Sequence, residues 1–311
     1  MKKTILQNGP LMPDLEARLA EGYDVLRLDG GSDARALARR HGENVSALVT
    51  SAPVGADAAL IEALPRLELI ASFGVGYDKI ALDTARRRGV KVAYTPNVLN
   101  DCVADLAFGL VIDVARGISA ADRYVRRGEW PNARFPVRTR VSGKNMGIVG
   151  LGRIGQAVAR RAAGFDMNIA YNNRRPADSP HRFEPSLAAL ANWADFLVVT
   201  VAGGEHTKGL ISREILAALG PQGYLINVSR GTVVDESALV DALRAGAIAG
   251  AGLDVFDKEP HVPPALLGLD NVVLLPHIAS GTTETRAAMS ELVLANLASY
   301  FSSGELVTPV A

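Results

Sequence analysis

Cysteine is nearly absent: Cys102 is the one thiol among 311 residues. A single cysteine excludes an internal disulfide framework and fits a reducing compartment. Excess charge is absent too, with 33 Lys and Arg against 33 Asp and Glu. A chain without a basic surplus offers little to nucleic acid or to an anionic membrane surface. No apolar run reaches the ~18–20 residues of a membrane span. The basic start Met1-Lys2-Lys3-Thr4 is followed by only Ile5-Leu6, which is not a signal-peptide core. Metal and P-loop chemistry lack their patterns: H-E-x-x-H, a cysteine cluster and G-x-x-x-x-G-K-[ST] are all missing. Histidine is scarce at five, which narrows the search for a proton donor. Together these absences read as a cytoplasmic protein with no metal, no nucleic acid partner and no membrane partner.

What is present is an ordinary apolar fraction, 48%, in a chain long enough for two domains. Over residues 1–99 short apolar runs alternate with amphipathic stretches. Ile5-Leu6, Val25–Leu28, Ala47–Val49, Leu69–Ala71 and Val90–Val92 read as strands, with helices over Leu11–Glu21 and Asp33–His41. That alternation predicts a parallel sheet covered on both faces. Thr95-Pro96-Asn97 interrupts it, and a long helix is expected over 101–128, ended by Gly128 and Pro131. From Gly143 the alternation resumes, with strands expected at Met146–Val149, Met167–Tyr171, Phe196–Thr200, Tyr224–Val228, Ala249–Leu253 and Val272–Leu275. A final helix is expected over Thr282–Phe301.

The stretch that organises the chain is Met146-Gly147-Ile148-Val149-Gly150-Leu151-Gly152-Arg153-Ile154-Gly155, an apolar strand running through G-x-G-x-x-G into a helix. The first glycine makes the turn, the second lets a pyrophosphate approach the backbone, and the third lets helix and strand pack closely. About 20 residues on, an NAD site carries an acid for the adenosine ribose. Here Asn172-Asn173-Arg174-Arg175 stands there instead. A carboxylate repels a 2′-phosphate and Arg can bind it in a fork, so the residues point to NADP(H) over NAD(H).

Three strand ends carry the remaining chemistry. Arg230 follows Leu225–Val228, Glu259 follows Leu253-Asp254-Val255-Phe256, and His277 follows Leu275-Pro276. An Arg grips a carboxylate, a His delivers a proton near neutral pH, and a Glu beside it favours the charged ring. This set suits reduction of a 2-keto acid. A fourth strand end, Ser72-Phe73-Gly74-Val75-Gly76-Tyr77-Asp78, can expose consecutive N–H groups to an anion, or be an ordinary turn.

At these residues the sequence resembles the D-isomer-specific 2-hydroxyacid dehydrogenases over essentially its whole length. The resemblance rests on Gly150–Gly155, Asn227-Val228-Ser229-Arg230-Gly231, Gly250–Phe256, Glu259-Pro260 and Leu275-Pro276-His277. Within the family it is most similar to the NADPH-preferring glyoxylate/hydroxypyruvate reductases and the hydroxyphenylpyruvate reductases.

The resemblance implies an α/β fold of two doubly wound parallel-sheet domains with a cleft between them. A Rossmann cofactor domain, 100–282, would be inserted in a flavodoxin-like substrate domain, 1–99 and 283–311. It implies Arg230, Glu259 and His277 as the catalytic residues, with His277 the proton donor. Substrate would bind Val75, Gly76, Arg230 and His277. The cofactor would meet the turn residues Gly150, Leu151, Gly152, Arg153, Ile154 and Gly155, with Asn173, Arg174 and Arg175 at the adenosine end. Val103, Val201, Thr207, Val228 and Ser229 would line it further on. Asp254 and Ser280 would join Arg230 and His277 at the nicotinamide end. A homodimer is implied as well.

Thr200–Thr207 departs from the family's usual segment at that place. Formate dehydrogenases share the implied fold but have glutamine where Glu259 stands. A hydroxyphenylpyruvate or 2-ketogluconate reductase is an alternative within the family, and a non-catalytic NAD(P)H-sensing scaffold is an alternative outside enzymes.

Overall fold

The apolar runs become strands because each is short, rich in Val, Ile and Leu, and bounded by turn residues. The structure, a computed structural model, describes residues 2–28 and 42–310. The helix expected over 33–41 lies outside the described residues, as does His41. The chain divides into two compact units, Met1–Leu99 with Thr282–Ala311, and Asn100–Gly281.

In the first unit β1 (Thr4–Asn8), β2 (Asp24–Leu28), β3 (Val45–Ser51), β4 (Leu69–Phe73) and β5 (Lys91–Ala93) form a parallel sheet in the order β2-β1-β3-β4-β5. This is the flavodoxin-like arrangement. β3 and β4 are buried at every position, as central strands between two helical layers must be. One layer includes the Ala58–Glu62 helix, capped by the Asp57 side chain on the Leu60 N–H. The other includes the Thr283–Ser303 helix, which buries Met289, Val293 and Leu297. Thr282 belongs to this unit rather than to the inserted segment, because its hydroxyl caps that helix on the Thr285 N–H. After the helix the chain returns to β5, where Val310 N–H bonds to the Val92 carbonyl at 2.8 Å and covers the sheet edge.

The second unit holds β6 (Asn145–Val149), β7 (Asn168–Asn172), β8 (Arg182–Phe183), β9 (Phe196–Val199), β10 (Tyr224–Asn227), β11 (Gly250–Leu253) and β12 (Val272–Leu274). All are parallel, in the order β12-β11-β10-β9-β6-β7-β8. Counted from β6 this is the Rossmann order with one strand added at the far edge. The strand the sequence pattern does not reveal is β8. Its two residues are too few for a period, and pairing with β7 alone defines it.

The long helix expected over 101–128 is two helices, Asn100–Arg116 and Ile118–Arg126. Gly117 stands between them in the left-handed region, φ +64°, and the Asp113 carboxylate accepts from the Ser119 N–H at 2.8 Å to start the second. Asn100–Arg116 is buried along Val103, Ala107, Leu110 and Val111, because it packs on β10 and β11 and on the helix after the glycine turn. Ile118–Arg126 buries no residue.

Candidate active site

β6 and β9 are neighbours whose connections leave in opposite directions, so a crevice opens at their carboxyl ends. The glycine turn sits there. Gly150 has φ +99°, and a Cβ on it would stand 2.8 Å from the Val201 nitrogen. A Cβ on Gly155 would stand 2.4 Å from the Gly150 carbonyl oxygen, so the third glycine is needed for the helix to approach the turn. Gly152 differs: among the described residues nothing lies within 4 Å of where its Cβ would be. Its backbone faces open space, which leaves room for a ligand to come against it. The Arg153–Ala163 helix starts at Gly152 with no side-chain cap, so among the described residues its first N–H groups, including that of Ile154, have no capping acceptor. These residues fit the pyrophosphate of a dinucleotide.

At the end of β7, Asn173 accepts the Leu151 N–H on its Oδ1 at 2.7 Å, tying the two halves of the turn together. Arg174 and Arg175 are exposed, and among the described residues neither has a hydrogen-bond or ion-pair partner. Val201 and Thr207 are half-buried after β9, and the Thr207 hydroxyl donates to the Ala202 carbonyl at 2.8 Å. Val103, Val228 and Ser229 are buried.

β10, β11 and β12 are adjacent, so the residues that follow them gather at one edge of the unit. The bend after β10 is held by Asn227, whose Oδ1 accepts the Ser229 N–H at 3.0 Å and whose Nδ2 donates to the Arg230 carbonyl at 2.9 Å. Gly231 is required in the same bend, because a Cβ there would overlap the Phe256 carbonyl carbon at 1.9 Å.

After β12, His277 takes a left-handed backbone, φ +54°, which is uncommon for a side chain of this kind. Asp254 accounts for it. Its carbonyl accepts the His277 N–H at 2.8 Å, and its carboxylate accepts the Ile278 N–H at 2.7 Å and the Ala279 N–H at 2.9 Å. Asp254 is fully buried. Burial pushes its carboxyl above the ordinary value, against the two N–H bonds and the His277 charge that act to lower it.

His277 Nδ1 meets Glu259 Oε2 at 2.7 Å, and the other Glu259 oxygen accepts the Phe256 N–H at 3.1 Å. Burial acts to raise the Glu259 carboxyl, but the hydrogen bond and charge of His277, the Phe256 N–H and the Arg230 charge outweigh it. Its pKa is held below the ordinary glutamate value. The Arg230 charge acting on Glu259 brings all three residues into one electrostatic group. His181 is half-buried, and His206 and His261 are exposed. Among the described histidines, His277 alone has a carboxylate partner. The brace that Asn227 and Asp254 provide is what sequence reasoning missed, although both residues lie inside motifs it singled out.

In the first unit Gly74, φ +149°, lies so close to Ala52 that a Cβ would sit 2.5 Å from its methyl. The turn is fastened by Thr95, whose hydroxyl accepts the Gly74 N–H at 3.0 Å. Among the described residues the N–H groups of Val75 and Gly76 have no acceptor. A cavity of about 280 Å³ in the same unit, lined by Leu82, Val92, Leu306 and Val310 among others, carries none of the candidate residues. Among the described residues no group of His, Cys, Asp or Glu is arranged to hold a metal ion, and no helix is long and apolar enough to cross a membrane.

A Rossmann-ordered sheet with a dinucleotide turn, and an Arg with a Glu–His pair at neighbouring strand ends, define a nicotinamide-dependent oxidoreductase. The comparisons with known proteins give its kind. Residues 108–279 match the model of the D-isomer specific 2-hydroxyacid dehydrogenase, NAD binding domain. The chain is 45% identical over 307 residues to a glyoxylate/hydroxypyruvate reductase A of Arabidopsis thaliana, covering 98% of each. It is 47% identical over 307 residues to the hydroxyphenylpyruvate reductase of Plectranthus scutellarioides, again covering 98% of each. The crystal structure of an NADPH-dependent glyoxylate/hydroxypyruvate reductase from Sinorhizobium meliloti, in complex with NADP and malonate, superposes with a TM-score of 0.95 at 43% identity, covering 100% of this chain and 97% of that one. The chain belongs to the D-isomer-specific 2-hydroxyacid dehydrogenases.

Proposed function

We propose that the protein reduces small 2-keto acids, glyoxylate and hydroxypyruvate, to the D-2-hydroxy acids, with NADPH preferred over NADH. The 2.7 Å contact between Glu259 and His277 carries the reading. A Glu259 held as carboxylate occupies Nδ1, so Nε2 is the nitrogen left to present a proton. When bound, NADPH supplies the hydride that goes to the carbonyl carbon. His277 gives the proton to the carbonyl oxygen and is left neutral, so hydride and proton together make the alcohol. Arg230 holds the substrate carboxylate in a fork. In the first unit the N–H groups of Val75 and Gly76, without an acceptor among the described residues, suit an anion.

The second unit is the cofactor domain in this reading and the first the substrate domain. Arg174 and Arg175, exposed and without a partner among the described residues, support the choice of NADPH. The NADP complex of the Sinorhizobium relative supports it too.

A larger keto acid is the second reading. Tyr77 directly follows the open N–H groups and packs edge-on against Tyr94 with centroids 5.7 Å apart, an aromatic wall suited to a ring-bearing substrate. The Plectranthus relative is named for such a substrate, and a 2-ketogluconate reductase of Gluconobacter oxydans is 44% identical over 311 residues.

The test is loss of NADPH absorbance with purified protein and a panel of glyoxylate, hydroxypyruvate, hydroxyphenylpyruvate and 2-ketogluconate. Higher kcat/KM on the two small acids supports the first reading, and a preference for hydroxyphenylpyruvate or 2-ketogluconate replaces it. Tight nucleotide binding with no turnover on any acid overturns both and leaves an NAD(P)H-sensing scaffold.

A further inference from the structure

Tyr171 is among the largest side chains buried whole in this chain, at 1% exposure, and its hydroxyl is taken into the core with it. A buried hydroxyl needs partners. Both of its partners belong to one residue: the hydroxyl donates to the Ala177 carbonyl at 3.1 Å and accepts the Ala177 N–H at 2.9 Å. Between Tyr171 and Ala177 lie Asn172, Asn173, Arg174, Arg175 and Pro176. The two hydrogen bonds therefore close a loop whose tip is the arginine pair.

The loop is fastened elsewhere too. Asn172 Nδ2 donates to the Glu184 carbonyl at 2.8 Å, and Asn173 accepts from the glycine turn. The Tyr171 ring packs on Phe183 with centroids 5.5 Å apart, so β8 holds the phenol in place from the other side. Every tether leaves the guanidinium groups of Arg174 and Arg175 outside.

We propose that Tyr171 is a positioning residue for cofactor choice: its hydroxyl brackets Ala177 and so presents Arg174 and Arg175 to the 2′-phosphate of NADP(H). The proposal rests on the reading that those two arginines recognise that phosphate. A bracketed loop presents two charges without first losing the conformational freedom of a loose one. Asn173 gives the loop its tie to the glycine turn without the negative charge a carboxylate would add beside the phosphate.

The experiment uses the full chain and measures binding of adenosine 2′,5′-bisphosphate and of 5′-AMP by calorimetry, with KM and kcat for NADPH and NADH alongside. Tyr171→Phe keeps the ring and its contact with Phe183 and removes only the hydroxyl. Losing those bonds is expected to weaken the bisphosphate and raise the NADPH KM by about 3- to 10-fold. Binding of 5′-AMP, the NADH KM and kcat with either cofactor should stay as in the wild type. A general packing defect would instead weaken both nucleotides. Pro176→Gly loosens the same loop at an exposed position without touching the core, and the same selective loss is expected from it.

The double variant Arg174→Ala, Arg175→Ala separates the two ideas. A selective loss there with none in Tyr171→Phe and Pro176→Gly overturns the bracket and leaves NADPH preference standing. Equal losses of bisphosphate and 5′-AMP in the arginine variant overturn the preference and the bracket with it.

Discussion

In the proposed reduction the proton comes from one ring nitrogen of His277, and Glu259 holds that ring. Reduction consumes a proton and oxidation releases one, so raising the pH should slow keto acid reduction and speed the reverse oxidation. Because the Glu259 pKa is lowered, this carboxylate keeps its charge throughout the neutral range. Glu259→Gln removes that charge and the carboxylate that meets Nδ1, so kcat for keto acid reduction should fall with NADPH affinity retained; an unchanged kcat would show that Glu259 does not support the ring. His277→Ala should lower kcat about 10²–10⁴-fold, the usual worth of general acid catalysis, with nucleotide binding retained. Turnover near the wild-type level would place the proton donor elsewhere. Arg230→Lys keeps the charge and loses the planar fork. One charge-assisted bond is worth about 1.5–3 kcal/mol, so kcat/KM for keto acid should drop roughly one to two decades while NADPH affinity holds.

The glycine turn makes its predictions as an element, because its glycines are required for different reasons. Gly155→Ala drives a methyl against the Gly150 carbonyl and separates helix from strand, a clash of the kind that costs about 1–3 kcal/mol. Its melting temperature and its dinucleotide affinity should fall together. Gly152 is extended, φ −86° and ψ −158°, with free space at the Cβ position. Gly152→Ala should therefore melt with the wild type yet bind NADPH and NADH more weakly, since the added methyl occupies room kept for the pyrophosphate. Wild-type affinity in that variant would move the dinucleotide away from the turn.

At the scale of the molecule, four of the exposed large apolar side chains among the described residues fall in one segment. Ile118, Val125, Trp130 and Val137 are exposed, with Val137 at 99%, and all four belong to the segment that begins with the helix that buries nothing. An exposed apolar stretch of this kind marks an association surface, and a second copy of the chain is the partner the family resemblance implies. Sedimentation velocity should give a dimer for the wild type. The double variant Val125→Asp, Val137→Asp should shift it toward monomer, since a desolvated carboxylate is costly at an apolar contact. A monomeric wild type at micromolar concentration would remove the homodimer.

The sequence by itself determined the layers and singled out the candidate residues. Strands such as Leu69–Phe73 and Phe196–Val199 are legible because a strand buried on both faces must be a short, continuous apolar run. Gly150, Gly152 and Gly155 are legible because backbone geometry restricts those places to one residue type. Arg230, Glu259 and His277 stand out because each lies in the short segment after an apolar strand. Tertiary structure decided the rest, because it depends on distance through space. β8 exists only through its pairing with β7. The helix break at Gly117 depends on the Asp113 carboxylate reaching Ser119. His277 meets Glu259 at 2.7 Å because Asp254, 23 positions earlier in the chain, accepts three successive N–H groups and holds the turn left-handed. No period or composition encodes a hydrogen bond between residues that far apart, so only the folded chain could set that geometry.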